Sequence, residues 1–138
     1  MSDGRVALLS VHPVYEAALV DGRKTVEFRK RRLAPDIRRV LVYATAPLQH
    51  VVGEFEVAET VEGTPAEIWA RFGCAGLIGQ PDFHAYYGGR RTAVAVVAVR
   101  PLRYAVPVTL TSWTLAPATP QSFSYLSAAT VGDAGMVR

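Results

Sequence analysis

The sequence has a single cysteine, Cys74, in 138 residues. One thiol closes no internal disulfide, so no covalent staple is expected and nothing calls for an oxidising compartment. Long apolar runs are lacking too. The longest, Thr92 to Val99, is rich in Val and Ala and stops at Arg100. It is far shorter than the roughly 20 residues that cross a bilayer as a helix, and it reads as a buried strand. Met1 to Arg5 are polar, and the apolar run behind them, Val6 to Leu9, is too short for the core of a secretion signal. A cytoplasmic location and no membrane partner are therefore expected. His12, His50 and His84 stand at no metal-ligand spacing, with or without Cys74. There is no phosphate-cradling glycine loop, no dinucleotide fingerprint and no G-x-S-x-G elbow. No metal and no cofactor are expected.

What is present describes a packed globular chain. Half of the residues are hydrophobic and a fifth are charged, and the length suits one domain. The 9 Pro and 11 Gly punctuate the chain without clustering into a linker. No internal repeat is visible. The net charge of +3 says little, but its distribution says more. Residues 22–39 hold eight basic groups (Arg23, Lys24, Arg29, Lys30, Arg31, Arg32, Arg38 and Arg39) against two acids, Glu27 and Asp36. The segment is about +6 and the remainder about −3. One basic edge on a dipolar chain suits an anionic partner such as a nucleic acid or a phosphorylated metabolite. The plainer alternative is a solvated basic loop.

Periodicity outlines the elements. Val6 to Ser10 read as a first buried strand. His12-Pro13 opens a helix that pairs Val14 with Ala18 and Tyr15 with Leu19, and Gly22 stops it. Thr25 to Arg29 alternate as a second strand, with Val26 and Phe28 toward the core and Thr25, Glu27 and Arg29 on the other face. Lys30 to Pro35 form a basic connection. Val40 to Ala44 and Val51 to Val61 are the next strands. Thr64-Pro65-Ala66-Glu67 is a capping box with Pro at the first helical position, opening a helix to about Phe72 with Ile68, Trp69 and Phe72 inward. Pro81 to Tyr87 are a second short helix, ended by Gly88-Gly89. Thr92 to Leu102 are the longest strand, and Tyr104 to Leu110 another candidate. From Thr111 the pattern fades into a loop. The expected fold is α+β: a small mixed β-barrel of about six strands, closed or half-closed, with two to three helices over its ends. Residues 1–126 are expected to form the domain, and 127–138 a mobile tail.

One octapeptide stands out. In Gly22-Arg23-Lys24-Thr25-Val26-Glu27-Phe28-Arg29, a tight turn delivers a lysine and a strand presents a carboxylate and a guanidinium on one face. Lys24 and Arg29 could hold a phosphate. Glu27 and Arg29 could read a base edge. A desolvated Lys24 would have a lowered pKa and could act as base or nucleophile. Against these stands a surface strand carrying an ordinary salt bridge.

The stretch Leu9-Ser10-Val11-His12-Pro13-Val14-Tyr15, followed by Gly22-x-Lys24-x-x-Glu27-x-Arg29, resembles the N-terminal part of the ASCH family, in the PUA-like superfamily. The resemblance continues through Tyr43-Ala44-Thr45, Val52-Gly53-Glu54-Phe55, the Trp69 helix, Phe83-x-x-Tyr86-Tyr87-x-Gly89, the Ala93 to Val99 strand and Pro120-Gln121-Ser122-Phe123-x-Tyr125. It implies a PUA-like barrel with a cleft beside the motif, and RNA or a single-stranded nucleic acid as partner. One branch resembles an amidohydrolase that removes an acyl group from a modified cytidine, using a lysine that matches Lys24 together with a threonine and a glutamate. Here Glu27 stands at that threonine's position, and Thr25 is out of register, which argues against the same mechanism. Another branch is reported to cleave single-stranded RNA with a lysine, again matched by Lys24.

The resemblance adds Gln121 and Ser122 to a cleft with Lys24, Thr25, Glu27 and Arg29. Ser10 and His12 lie close to the motif and are further candidates. Phe123 would anchor the cleft loop, or with Tyr125 simply plug the barrel end. Tyr43, Trp69, Tyr86 and Tyr87 are stacking candidates whose alternative is a place in the core. The expected function is binding of RNA or a modified nucleotide, with Arg23, Lys30, Arg31, Arg32, Arg38 and Arg39 along the backbone. The alternative is a hydrolase of RNA or of a modified nucleoside, with Lys24 and Glu27 catalytic.

Overall fold

His12 and Pro13 turn the chain from its first strand into its first helix. His12 Nδ1 accepts the Val14 N–H at 3.1 Å, and Pro13 occupies a position whose N–H would be unused. The helix ends where Gly22 takes φ 89°, a conformation open to glycine. The Lys24 N–H then returns to the Ala18 carbonyl at 2.9 Å, so the lysine follows directly on the turn. The same local logic starts the second helix, where Thr64 and Glu67 cap each other reciprocally as expected.

A computed structural model describes residues 4–113 and 117–131. Its elements are β1 (Arg5–Val11), α1 (Pro13–Val20), β2 (Val26–Arg29), β3 (Arg39–Ala44), β4 (His50–Gly63), α2 (Pro65–Phe72), α3 (Gln80–Tyr87), β5 (Ala93–Val108), β6 (Phe123–Ser127) and α4 (Ala128–Val131). A short 3-10 turn spans Leu110–Ser112. The strands form one six-stranded sheet in the order β2-β5-β4-β3-β1-β6. Every neighbour is antiparallel except the β1–β3 pair, which is parallel because α1 and β2 intervene.

Among the described residues β2 and β6 are free edges, so the sheet is not closed, but it curls in the barrel-like manner expected. The long strands β4 and β5 shift register three times along their shared ladder, and such bulges bend and twist a strand. At one shift Arg100 takes φ 50° beside Pro101, which has no N–H to donate. The two strands expected at Thr92–Leu102 and from Tyr104 are therefore one bent strand, β5.

Among the described residues three apolar clusters form the core. One lies within the curl and includes Leu9, Leu19, Val42 and Phe55. A second gathers Val6, Leu8, Leu41, Tyr43 and Tyr104. The third packs Val26 and Phe28 against Ile68, Phe83 and Tyr87, beneath α2 and α3. Ile68 is fully buried, with Trp69 and Phe72 partly so. Two expectations change at the C-terminal end. Phe123–Ser127 form edge strand β6 against β1, where a loop was expected. Its five residues are all partly exposed or exposed, so apolar alternation is weak. Residues 128–131 continue as α4, with Val131 buried in the second cluster, so the mobile tail does not begin at 127. The remainder of that expected tail, 132–138, lies outside the described residues. Among the described residues no helix is long and apolar enough to cross a membrane.

Candidate functional site

The curl brings the two free edges of the sheet to one seam, and the octapeptide lies along it. β2 pairs with β5 in a register that sets Glu27 opposite Val96 and Arg29 opposite Val94. Alternation sends Val26 and Phe28 into the aromatic layer under α2 and α3. Glu27 and Arg29 point the other way, into the seam. This is no surface strand: Lys24, Glu27 and Arg29 are only 4%, 7% and 8% exposed.

The three side chains form a chain of contacts. Lys24 Nζ donates to the Gly76 carbonyl at 2.6 Å and lies 3.4 Å from Glu27 Oε1. Glu27 Oε2 accepts from Arg29 Nη1 at 3.0 Å. Arg29 Nη1 is 3.5 Å from the Ser10 carbonyl, and Nη2 donates to Ser122 Oγ. Ser122 is itself held, because its carbonyl accepts the Ser10 N–H at 2.9 Å. Arg29 Nε is buried and has no hydrogen-bond partner among the described residues. Burial lowers the Lys24 pKa most, Glu27 opposes the shift, and the nearby Arg29 charge adds to the lowering. With both cations charged, the set carries one uncompensated positive charge in a poorly solvated place.

A cavity of about 250 Å³ opens onto this set. Ser10, His12, Tyr15, Lys24, Glu27, Arg29, Ile78 and Tyr86 are among its walls. Gly76 permits the approach of the α2–α3 loop. A Cβ there would fall 2.1 Å from the Phe28 ring, so only glycine brings that carbonyl to Lys24 without displacement. Tyr86 stands at the rim, 37% exposed, and burial raises its pKa above that of a free phenol. Tyr87 lies beneath it in the core and donates to the Arg29 carbonyl at 2.9 Å, anchoring β2.

The structure gathers Ser10, His12, Lys24, Glu27 and Arg29 at the cavity, and Ser122 directly behind Arg29. Thr25 and Gln121 are not brought in. Both are exposed, and Thr25 is held only through its backbone, to Ala75 and Ala98. The basic residues separate into groups. Lys30 and Arg31 stay near the seam, Lys30 Nζ 4.8 Å from the centre of the Tyr86 ring and Arg31 5.4 Å from that of Phe123. Arg23 pairs with Asp21, and Arg32 with Glu62. Arg39 is not available to a nucleic-acid backbone, since it is bidentate on Glu54, which also accepts from Tyr104. Arg38 and Arg32 line a separate hollow of about 200 Å³. Of the four stacking candidates, Tyr43 and Tyr87 belong to the core and Trp69 packs on it. Among the described residues no cluster of potential metal ligands occurs. Ile78 and Gly76 join the site without any local signal in the sequence, and Tyr15, expected to pack on Leu19 within the helix, is also a cavity wall.

No family model matches the chain. Among curated proteins it is similar to an ASCH domain-containing ribonuclease of Zymomonas mobilis, 33% identical over 94 residues. That match spans 67% of this chain and 64% of the relative. It is also 32% identical over 120 residues to a large ribosomal subunit protein uL22 of Ureaplasma parvum, across 86% of this chain but 38% of that protein. The chain thus spans less than two thirds of either relative. Among solved structures, the ASCH protein of Zymomonas mobilis superposes with a TM-score of 0.85 at 28% identity, over 91% of this chain and 90% of that one. A single-residue variant of the same protein gives 0.82 at 28% identity, over 88% and 89%. With its fold shared along nearly the whole of that protein, and the Gly22-x-Lys24-x-x-Glu27-x-Arg29 residues drawn into one seam, the chain belongs to the ASCH-domain family.

Proposed function

We propose that this domain binds single-stranded RNA, takes one unstacked nucleotide into the seam cavity, and cleaves the strand there. The observation that carries the reading is a buried Lys–Glu–Arg set with one surplus positive charge in the wall of a cavity. An uncompensated buried cation is costly. A phosphate in the cavity would compensate it. The cavity suits one nucleobase and not a duplex, and single-stranded RNA is read by splaying out unstacked bases. The name of the Zymomonas mobilis relative, a ribonuclease, supports cleavage over binding alone.

The chemistry suited to these residues is attack by a ribose 2′-oxygen on the adjacent phosphorus. Lys24, made less basic by burial, takes the hydroxyl proton when neutral. Arg29 stabilises the charge that builds on the phosphoryl oxygens. The P–O5′ bond breaks, the 5′-oxygen takes a proton from water, Lys24 returns its own to solvent, and a 2′,3′-cyclic phosphate and a 5′-hydroxyl result. Glu27 holds both cations in place. Deacylation of a modified nucleoside has less support, because Glu27 replaces the threonine of that branch and Thr25 faces solvent.

The test is incubation of a labelled single-stranded RNA oligomer with the wild-type protein and with Lys24→Met. Binding that falls with rising salt, together with cyclic-phosphate products from the wild type only, is the expected result. Salt-independent binding, or identical products from both proteins, overturns it.

A further inference from the structure

Two basic loops begin side by side at one end of the β2–β5 pair. Arg29 closes β2 opposite Val94, and β5 opens one residue before that, at Ala93. Lys30 and Arg31 therefore leave the sheet next to the point where Arg90 and Arg91 approach it. The Arg90 N–H is bonded to the Tyr87 carbonyl at 3.1 Å, which folds this second loop back onto the end of α3. Lys30, Arg90 and Arg91 are exposed, and none makes an ion pair with another described residue. Arg31 and Arg38 are likewise without an ion pair among the described residues, whereas Arg5, Arg32, Arg39 and Arg100 each hold a carboxylate. Cations grouped without counter-charges repel one another and await an external anion.

Tyr86 stands between these cations and the cavity. It is one of the cavity walls, it is exposed at the rim, and Lys30 Nζ lies 4.8 Å from its ring centre. Tyr87 braces it edge-on, at 4.9 Å and 69°. Arg90 is close enough for its charge to act on the Tyr86 hydroxyl. An aromatic ring flanked by cations is how sequence-tolerant proteins hold a single strand, the ring stacking on a base and the cations meeting the phosphates.

We infer that Tyr86, Lys30, Arg90 and Arg91 form a clamp at the cavity mouth for the phosphodiester backbone flanking the captured nucleotide. The site then selects a phosphate-bearing single strand over a free nucleoside. This rests on the RNA reading above and adds to it a direction of approach and a requirement for phosphate. Arg90 and Arg91 fall outside the basic segment 22–39, so charge runs in the sequence do not reveal them.

The experiment measures affinity for a short single-stranded RNA oligomer, and for one of its nucleosides, across a salt series. The proteins are the wild type, Lys30→Ala/Arg90→Ala/Arg91→Ala and Tyr86→Leu. The triple variant alters exposed side chains only, and circular dichroism checks that each protein is folded. In the triple variant the RNA affinity is expected to fall at least tenfold at low salt. Its log–log salt slope should flatten by about 0.7 for each phosphate that the protein no longer neutralises, with nucleoside affinity unchanged. Tyr86→Leu should weaken RNA binding about tenfold, because the base has no ring to stack on, while leaving the salt slope as it was. Wild-type binding to RNA with unaltered affinity and slope in the triple variant overturns the clamp alone. A wild type that binds no RNA removes the clamp together with the function it rests on.

Discussion

Arg29 and Ser122, 93 positions apart, are joined by a hydrogen bond from the guanidinium to the serine hydroxyl. Arg29 ends one edge strand of the sheet, and Ser122 immediately precedes the other. A sheet that its backbone ladder leaves open is thus fastened by side chains, and the cavity lies where they meet. Stability and site geometry are coupled at this point.

Removing Arg29 should therefore cost more than one hydrogen bond. Arg29→Ala leaves Glu27 buried with Lys24 as its one remaining cation and frees the Ser122 hydroxyl. Two charge-assisted hydrogen bonds, to Glu27 and to Ser122, are lost at about 1.5–3 kcal/mol each, whereas Ser122→Ala removes only the second. Urea denaturation of both variants measures this. Equal, small losses would mean that the seam is not held by Arg29.

Lys24 gives a dependence on pH with a definite sign. Its pKa in the folded protein lies below the 10.5 of a free lysine, chiefly through burial. Between the two values the unfolded chain binds more protons, so stability attributable to Lys24 rises with pH across that window. The wild type should gain on Lys24→Met as pH is raised through the range just below 10.5. Denaturation midpoints that move in parallel for both proteins over this range would contradict the desolvation of the lysine.

Gly76 serves Lys24 indirectly. In Gly76→Ala the new methyl meets the Phe28 ring, and either the loop or the ring must move. Overpacking of this kind costs about 1–3 kcal/mol. Lys24 should also lose its carbonyl partner, with RNA cleavage reduced beyond what stability explains. Cleavage measured well below the melting temperature separates the two effects, and unchanged turnover would show that the loop does not position Lys24.

The capping box of α2 provides a contrast far from this chemistry. Thr64→Ala removes the acceptor for the Glu67 N–H and should cost about 1 kcal/mol. The thermal midpoint should fall by a few degrees while RNA affinity holds. A change in affinity would mean that α2 transmits to the cavity.

Local chemistry made much of this legible beforehand. His12-Pro13, Gly22, Thr64 to Glu67 and Gly88 mark helix ends because caps and positive φ depend on residues a few positions apart. The alternation of Val26 to Arg29 indicated which side chains share a face, and the resemblance at Lys24, Glu27 and Arg29 led to the seam. Strand β6 was not legible, because a short, half-buried edge strand leaves too little apolar alternation.

The sequence by itself determined the ends of α1, α2 and α3, the facing of β2 and the clustering of charge, all of which arise from neighbours within a turn or a pleat. Tertiary structure alone decided that Glu27 and Arg29 are buried, that Arg39 is consumed by Glu54 while Lys30 has no ion pair among the described residues, and that Gly76, Ile78 and Tyr86 gather around one cavity. The physical reason is separation along the chain. Whether a charge meets water or a partner depends on which distant segments the curl of the sheet brings against it, and no local pattern records that distance.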